Sequence, residues 1–116
     1  MIEKTLFEYY TEKFTGIIPV YMAFPEPAPP RFFLIEKTGG SRENQICYAT
    51  VAVQSYGVSV ADAAHMNLMA ISAMYDALEL DTITNVILNS DYNFPDTTRK
   101  RHRYQAVFNL THYEME

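Results

Sequence analysis

The sequence predicts an α+β fold, a two-layer sandwich in which a mainly antiparallel sheet carries two helices on one face. Three observations support it: two segments have helical spacing of apolar residues, several others alternate as strands do, and their order is helix, strands, hairpin, helix, hairpin. A chain of 116 residues is long enough for one core and too short for two ordinary domains. We therefore predict a single domain over residues 1–116.

The N-terminal part predicts a helix, an edge strand and a rigid connection. The helix runs from Ile2 to Phe14, and Gly16 is placed to end it. The sequence IIPVYMA then favours a short strand at a sheet edge, because Pro19 cannot donate to a ladder. The stretch FPEPAPPR is stiff and extended, which favours a rigid surface connection over a recognition motif.

Two strand-like runs, RFFLIEKT and NQICYATVAVQSY, predict a hairpin whose connection contains Gly39 and Gly40. Alternate residues of the second run form two faces. The predicted core face consists of Cys47, Ala49, Val51 and Val53. The other face is semi-polar and suited to another subunit; it consists of Tyr48, Thr50, Ala52 and Gln54.

The clearest helix begins at Ser59, a natural N-cap, with Asp62 three residues later in the manner of a capping box. Steps of four and three predict one core-facing stripe. That stripe consists of Ala64, Leu68, Ile71, Tyr75 and Leu78. Two final strands, ITNVILNSD and RYQAVFNLTHY, follow the helix. In the last strand, the predicted core face consists of Tyr104, Ala106, Phe108, Leu110 and His112.

Composition and motifs narrow the function classes. A net charge of −5 argues against general nucleic-acid affinity. The single cysteine, Cys47, excludes an internal disulfide and favours a reducing compartment, and neither a signal-peptide pattern nor an apolar run of membrane-spanning length is present. No phosphate loop, metal-ligand spacing or nucleophile elbow occurs. We therefore predict a cytoplasmic site of synthesis, no membrane partner, no metal or other cofactor, and no enzymatic activity.

A basic cluster stands out against this acidic background, because four of the nine Lys/Arg residues fall within five positions. Solvation, contact with a partner's carboxylates, and phosphate contact with Tyr104 or Phe108 as stacking platforms are three interpretations. We favour partner contact, and we expect the preceding loop, DYNFPDTT, to be long, exposed and mobile. The predicted partner-contact residues are Arg99, Lys100, Arg101 and Arg103, together with Phe94 and Arg42.

Four features follow one another along the chain: a β-hairpin, the strand exit QSYG, the helix start S-x-x-D-A, and a variable loop ending in the strand RYQAVFNLTHY. Over roughly residues 15 to 113, this order resembles the small tail-completion, or tail-terminator, proteins of long-tailed bacteriophages and prophages. The resemblance implies a structural protein that closes into a ring, typically a hexamer. It also implies that the ring caps the tail tube, ends its growth and offers a docking surface to the head-side connector protein, while DNA only passes through the lumen.

The resemblance places the protein in the virion tail at the head–tail junction, after assembly in the host cytoplasm. The semi-polar strand faces are too apolar for a plain solvent face, so we predict that one of them helps to form a subunit interface in a closed ring. The predicted interface residues are Tyr48, Thr50, Gln105, Val107 and Asn109. Two rival classes stay open. One is a small oligomeric enzyme with His65, His102 or Cys47 at a subunit interface, and the other is a nucleic-acid-binding module that uses the strand from Arg99 to Tyr113.

Overall fold

The structure, a computed structural model that describes residues 1–113, has the predicted order of elements. Its helices are α1 (Ile2–Lys13) and α2 (Val60–Asp76), the latter continued by a short 3₁₀ turn (Ala77–Glu79). Its strands are β1 (Val20–Tyr21), β2 (Phe32–Glu43), β3 (Ile46–Gly57), β4 (Ile83–Asn93) and β5 (His102–Tyr113). The predicted α+β class is confirmed. Residues 114–116 of the predicted domain lie outside the described residues.

The strands form one five-stranded sheet in the order β1-β2-β3-β5-β4. Strand β1 pairs with β2 in parallel, and every other pair is antiparallel. The predicted edge position of the Pro19 segment is therefore correct, since β1 is an outermost strand. No helix within residues 1–113 has the length and apolar character needed to cross a membrane.

The turn of the β2–β3 hairpin differs from the prediction. Strand β2 continues through Gly39 and Gly40, and the chain reverses at Asn44, whose φ is +57°. Asparagine is one of the few residues that tolerate this left-handed conformation, so it can replace glycine in a turn. The register between β2 and β3 shifts between Lys37 and Gly39. The glycines therefore lie at a strand irregularity, not at the turn.

Both helices pack on one face of the sheet and enclose the main core with it. Tyr10 is fully buried in α1 and donates a 2.6 Å hydrogen bond from its hydroxyl to the carbonyl oxygen of Ala70 in α2. Tyr9 donates in the same way to the carbonyl of Ala73, at 2.9 Å. These two bonds fix the helices against each other and satisfy buried hydroxyl groups. The sheet side of this core includes Val51, Val53, Ala106, Phe108 and Leu110, all on predicted core faces.

The buried face of α2 is not the predicted one. Ala63, Met66, Asn67, Ala70, Ala73 and Met74 face the sheet. Leu68, placed in the core by the sequence, is 65% exposed, and Tyr75 and Leu78 are also exposed. Because helix α2 is apolar on both sides, the spacing of its apolar residues is compatible with either of two buried stripes. The alanine-rich one is buried because small side chains let the helix approach the sheet closely.

The start of α2 is tightly fitted to the end of β3. Ser59 is the N-cap, and its hydroxyl accepts a 3.0 Å hydrogen bond from the backbone N–H of Asp62, as predicted. The Asp62 carboxylate accepts from the backbone N–H of Val58 and from Arg31, each at 3.0 Å. A Cβ at Gly57 would lie 2.5 Å from the backbone nitrogen of Ala63. Glycine at the end of QSYG is therefore required by this close approach.

A second, smaller core lies at one end of the other sheet face. Phe32, Leu34 and Tyr56 are buried there, and Phe24 and Ala28 from the proline-rich segment pack against them. The rings of Phe32 and Tyr56 stack with centroids 4.5 Å apart. The proline-rich segment is therefore a cover for this end of the sheet. No helix of residues 1–113 covers the rest of this face, which we call the open face.

Candidate protein interface

The loop between β4 and β5 is closed around a buried carboxylate. Asp96 and Arg101 exchange two backbone hydrogen bonds of 3.0 Å, and the Asp96 side chain is only 4% exposed. Lys100 has a φ of +56° and lies at the exposed tip. Because β4 extends to Asn93, the loop is shorter than predicted, and its flanking residues are exposed as expected.

Three arginines of the basic cluster lie at this end of the molecule, and two of them are beside the Asp96 carboxylate. We call Arg99, Arg101 and Arg103 the arginine cluster. Oδ2 of Asp96 lies 3.1 Å from Nη1 of Arg99 and 3.8 Å from Nη1 of Arg103. Burial opposes ionisation of Asp96, but hydrogen bonds from Tyr56 and Arg99 and the charge of Arg103 together hold its pKa below the ordinary value. An internal counter-ion thus neutralises part of the cluster.

The arginine cluster also fastens the proline-rich segment. Nη2 of Arg101 donates to the carbonyl oxygens of Pro29 and Pro30, both at 2.9 Å. The guanidinium of Arg99 lies 3.9 Å from the ring centroid of Phe24. Arginine suits both kinds of contact, because its planar, delocalised guanidinium can donate to carbonyl oxygens and stack on aromatic rings. The arginines are therefore engaged within the subunit, an arrangement that none of the three sequence interpretations contained.

The predicted partner-contact residues divide between two places. The guanidinium of Arg103 stacks 4.1 Å from the ring centroid of Phe94, which joins Phe94 to the arginine cluster. Lys100 extends from the same end. Arg42, in contrast, pairs in register with Cys47 at the far end of the hairpin, whereas Arg103 pairs with Tyr56. The structure does not bring Arg42 to the others.

The five predicted subunit-interface residues do share one surface. They project from β3 and β5 onto the open face, where the Thr50 hydroxyl donates to Oδ1 of Asn109 at 3.3 Å. Gln105 Nε2 donates to the hydroxyl of Tyr92, and its Oε1 accepts from Gln54 at 2.8 Å. Val107, the apolar member, is half-buried. The side chains that the alternation pattern selected are therefore neighbours across strands.

A shallow depression of about 450 Å³ occupies the middle of the open face. Its lining includes Tyr48, which is 43% exposed, and Ile87, which is 52% exposed. None of the side chains that line it carries a carboxylate, an amine or a guanidinium. Ile87 was missed at the sequence level, although the alternation in ITNVILNSD places it opposite the buried Val86. An uncharged, partly apolar surface of this kind is typical of protein contacts.

The residues of the rival functions are separated in the subunit. Cys47 is buried and pairs in register with His112, while His102 lies at the opposite end of β5 and His65 is exposed on α2. Phe108 is fully buried on the helix side, so it is not a stacking platform within the subunit. Among residues 1–113, no group of three or more His, Cys, Asp or Glu side chains is arranged to hold a metal ion.

No protein-family model matches the chain, and no curated protein matches it significantly.

Proposed function

We propose that the protein is a structural tail-completion protein of a long-tailed bacteriophage or prophage. In this role a ring of subunits, typically a hexamer, caps the tail tube, ends its polymerisation and presents the joining surface for the head-side connector. It works at the head–tail junction of the virion after assembly in the host cytoplasm, without catalysis or a cofactor. DNA passes through the lumen and is not recognised.

One observation carries the proposal: this small domain exposes apolar side chains on two opposite sides of its sheet. Ile87 and Tyr48 are exposed on the open face, and Leu68 and Leu78 on the outside of α2. Isolated apolar side chains on a surface are ordinary, but rows of them on two sides are typical of a subunit that is completed by neighbours. A ring subunit that also binds a tube or a connector needs such contact surfaces on more than one side.

The family resemblance supports the same role through three motifs. QSYG is the end of β3, where Gly57 admits the first turn of α2. The S-x-x-D-A motif is the N-cap of α2, with Ser59 as the capping residue. The sequence RYQAVFNLTHY lies in β5, the strand between β3 and β4. The three motifs thus form the end of β3, the start of α2 and strand β5.

The charge distribution suits passage of DNA past the ring. The net charge is −5, and the arginine cluster is engaged with Asp96 and with backbone carbonyls. A ring of such subunits would attract phosphates weakly, so it would hold the passing duplex little. Lys100 is exposed, and so are the aromatic residues Tyr92 and Phe94 near it in sequence. Lys100 is therefore accessible for contact with the tube or the connector.

The test uses the purified chain with tail tubes from the phage or prophage that encodes it. We expect rings at tube ends in electron micrographs and no further growth of capped tubes when tube protein is added. A Tyr48→Asp variant, which charges the open face, should fail to cap tubes. Thr11→Asp places the same charge on an exposed position of α1 and should behave as the parent. A chain that stays monomeric and never binds tubes would exclude this function.

A further inference from the structure

Both outer edges of the sheet expose strand backbone. Within residues 1–113, β4 has a paired strand on one side only, along its length from Ile83 to Asn93. At the other edge, β1 covers β2 only at Phe33 and Leu34. In the part of the chain that the structure describes, the remainder of β2, up to Glu43, has no strand on its outer side. An uncovered edge is a template for adding a strand from another chain.

Two register shifts interrupt strand β4, but its sequence offers little of the charge and proline that protect an edge. It contains no lysine, arginine or proline, and Asp91 is its one charged residue. The backbone N–H of Leu88 donates to the Tyr75 hydroxyl at 3.2 Å, so this donor points away from β5 and already binds a group outside the sheet. One register shift lies between Ile83 and Asn85 and another between Leu88 and Ser90, and the stretch from Asn85 to Leu88 between them is regular. That stretch is open to an incoming strand.

The outer side of α2 continues this edge into a larger surface. Tyr75 links the helix to β4 through Leu88, and the exposed Leu78 lies in the turn that leads toward β4. Acidic residues follow at Glu79 and Asp81. We call the β4 edge together with Leu68, Tyr75, Leu78, Glu79 and Asp81 the seam surface. It combines free backbone, apolar area and negative charge.

The opposite edge has matching properties. Arg42 and Lys37 are exposed on β2, and both lie on the helix side of the sheet, where Nε of Arg42 is 3.3 Å from Sγ of Cys47. Because every pair from β2 to β4 is antiparallel, β2 and β4 run in opposite directions. Copies placed side by side in one orientation would therefore pair β4 with the next β2 as antiparallel strands.

The register fixes which residues would meet in a level arrangement. One cross-strand row runs from Arg42 through Cys47 and His112 to Ile83. A second row begins at Lys37 and ends at Leu88. Continued into the next copy, the first row places a neighbour's Arg42 beside Ile83, close in sequence to Glu79 and Asp81. Because Asp81 lies two residues before Ile83, this arrangement would bring positive and negative charge to the same end of the seam.

We propose that the seam surface binds the free half of β2, from Glu36 to Glu43, of a second copy of this chain. The contact is head to tail, and its repetition closes a ring when the rotation between copies closes; in this respect the inference rests on the proposed function. The open faces of adjacent copies then form one continuous surface. Tyr48, Thr50 and Asn109, which the sequence predicts at a subunit interface, would then face the tail tube or connector, while the seam itself is made by strand edges and α2.

The test is a charge exchange across the seam, read as mass in solution by light scattering over a range of protein concentrations, with and without tail tubes. Arg42→Glu and Asp81→Arg should each raise the concentration for half-assembly by about tenfold. The double variant should recover most of the loss. Lys4→Glu, an equal charge change on the exposed side of α1, should have no effect.

The thermal unfolding of each variant is measured as well, because Arg42 contacts Cys47 and its replacement removes that contact. If Arg42→Glu unfolds, Asp81→Arg and Leu78→Gln, both at exposed positions, decide the matter alone. Variants that assemble as the parent does, while the parent caps tubes, would overturn the seam and leave the proposed function standing. A parent that neither self-associates nor binds tubes would overturn both.

Discussion

The Tyr56 hydroxyl donates a 2.8 Å hydrogen bond to Oδ2 of Asp96, which ties the end of β3 to the β4–β5 loop. Tyr56 is itself covered by Phe24 and stacked on Phe32, so the bond lies beneath the proline-rich segment. The same oxygen faces Arg99 and Arg103. One carboxylate therefore organises the basic run, the loop and the cover of the second core.

Replacing Asp96 by Asn should destabilise the fold by about 2–4 kcal/mol, because the arginines lose their counter-ion in a buried setting. Urea unfolding followed by circular dichroism measures the change. Asp91→Asn makes the same substitution at an exposed site of β4 and should change the free energy of unfolding by less than about 0.5 kcal/mol. Equal effects of the two variants would contradict a structural role for Asp96.

The lowered pKa of Asp96 predicts acid sensitivity. A carboxyl group with a lower pKa in the folded state contributes stability above its unfolded pKa, and that contribution is lost as pH falls through the folded value. The parent should therefore lose stability below about pH 4. Asp62, whose pKa is lowered chiefly by the N–H of Val58 and also by Arg31, acts in the same direction.

Measured between about pH 2 and 4, the free energy of unfolding of Asp96→Asn should fall less steeply than that of the parent, while Asp62 keeps part of the slope. Thermal unfolding at several pH values provides the curves. Parallel curves for parent and variant would show that the pKa of Asp96 is the same in the folded and the unfolded chain.

Arg101 and Lys100 are neighbours with different expected roles. Arg101→Ser removes both bonds to the Pro29 and Pro30 carbonyls, so the proline-rich segment should be cleaved sooner by proteases and exchange its amide hydrogens faster. Lys100→Ser, at the exposed loop tip, should leave both rates unchanged. Equal effects of the two variants would contradict a specific role for Arg101 in holding the proline-rich segment.

For binding to the tail tube or connector we expect the opposite, because Lys100 is the residue proposed to make direct contact. Lys100→Ser should weaken binding by about threefold to tenfold at low salt, and the difference should shrink as salt screens the charge. Surface plasmon resonance at several salt concentrations measures this. Unchanged tube and connector affinity would remove Lys100 from the contact, and loss of duplex-DNA affinity instead would favour the nucleic-acid alternative.

The two faces of α2 can be compared directly. Met66→Ala should cost about 2–5 kcal/mol, because Met66 is fully buried against the sheet. Leu68→Ala, two residues on, should change stability by less than about 0.5 kcal/mol in the unassembled chain. A larger cost for Leu68 than for Met66 would mean that the helix packs on the stripe predicted from the sequence.

The sequence was sufficient for the class of fold, the number of elements and the inward faces of β3 and β5. Alternation in β3 placed Val51 and Val53 correctly because a strand buried on one side has only two faces to choose from. The N-cap at Ser59 was predictable for a local reason, since its bond to Asp62 spans three residues. Local and period-two signals were therefore reliable.

The sequence by itself determined an acidic α+β subunit with apolar faces and a concentrated basic run. Only the tertiary structure decided which side of α2 is buried, because both sides are apolar and the choice depends on how closely alanines approach the sheet. It alone showed that Arg99, Arg101 and Arg103 are held by Asp96 and by the proline-rich segment, since Asp96, Pro29 and Tyr56 meet across long stretches of chain. Contacts between residues so distant in sequence depend on the packing of the whole sheet, which no local pattern encodes.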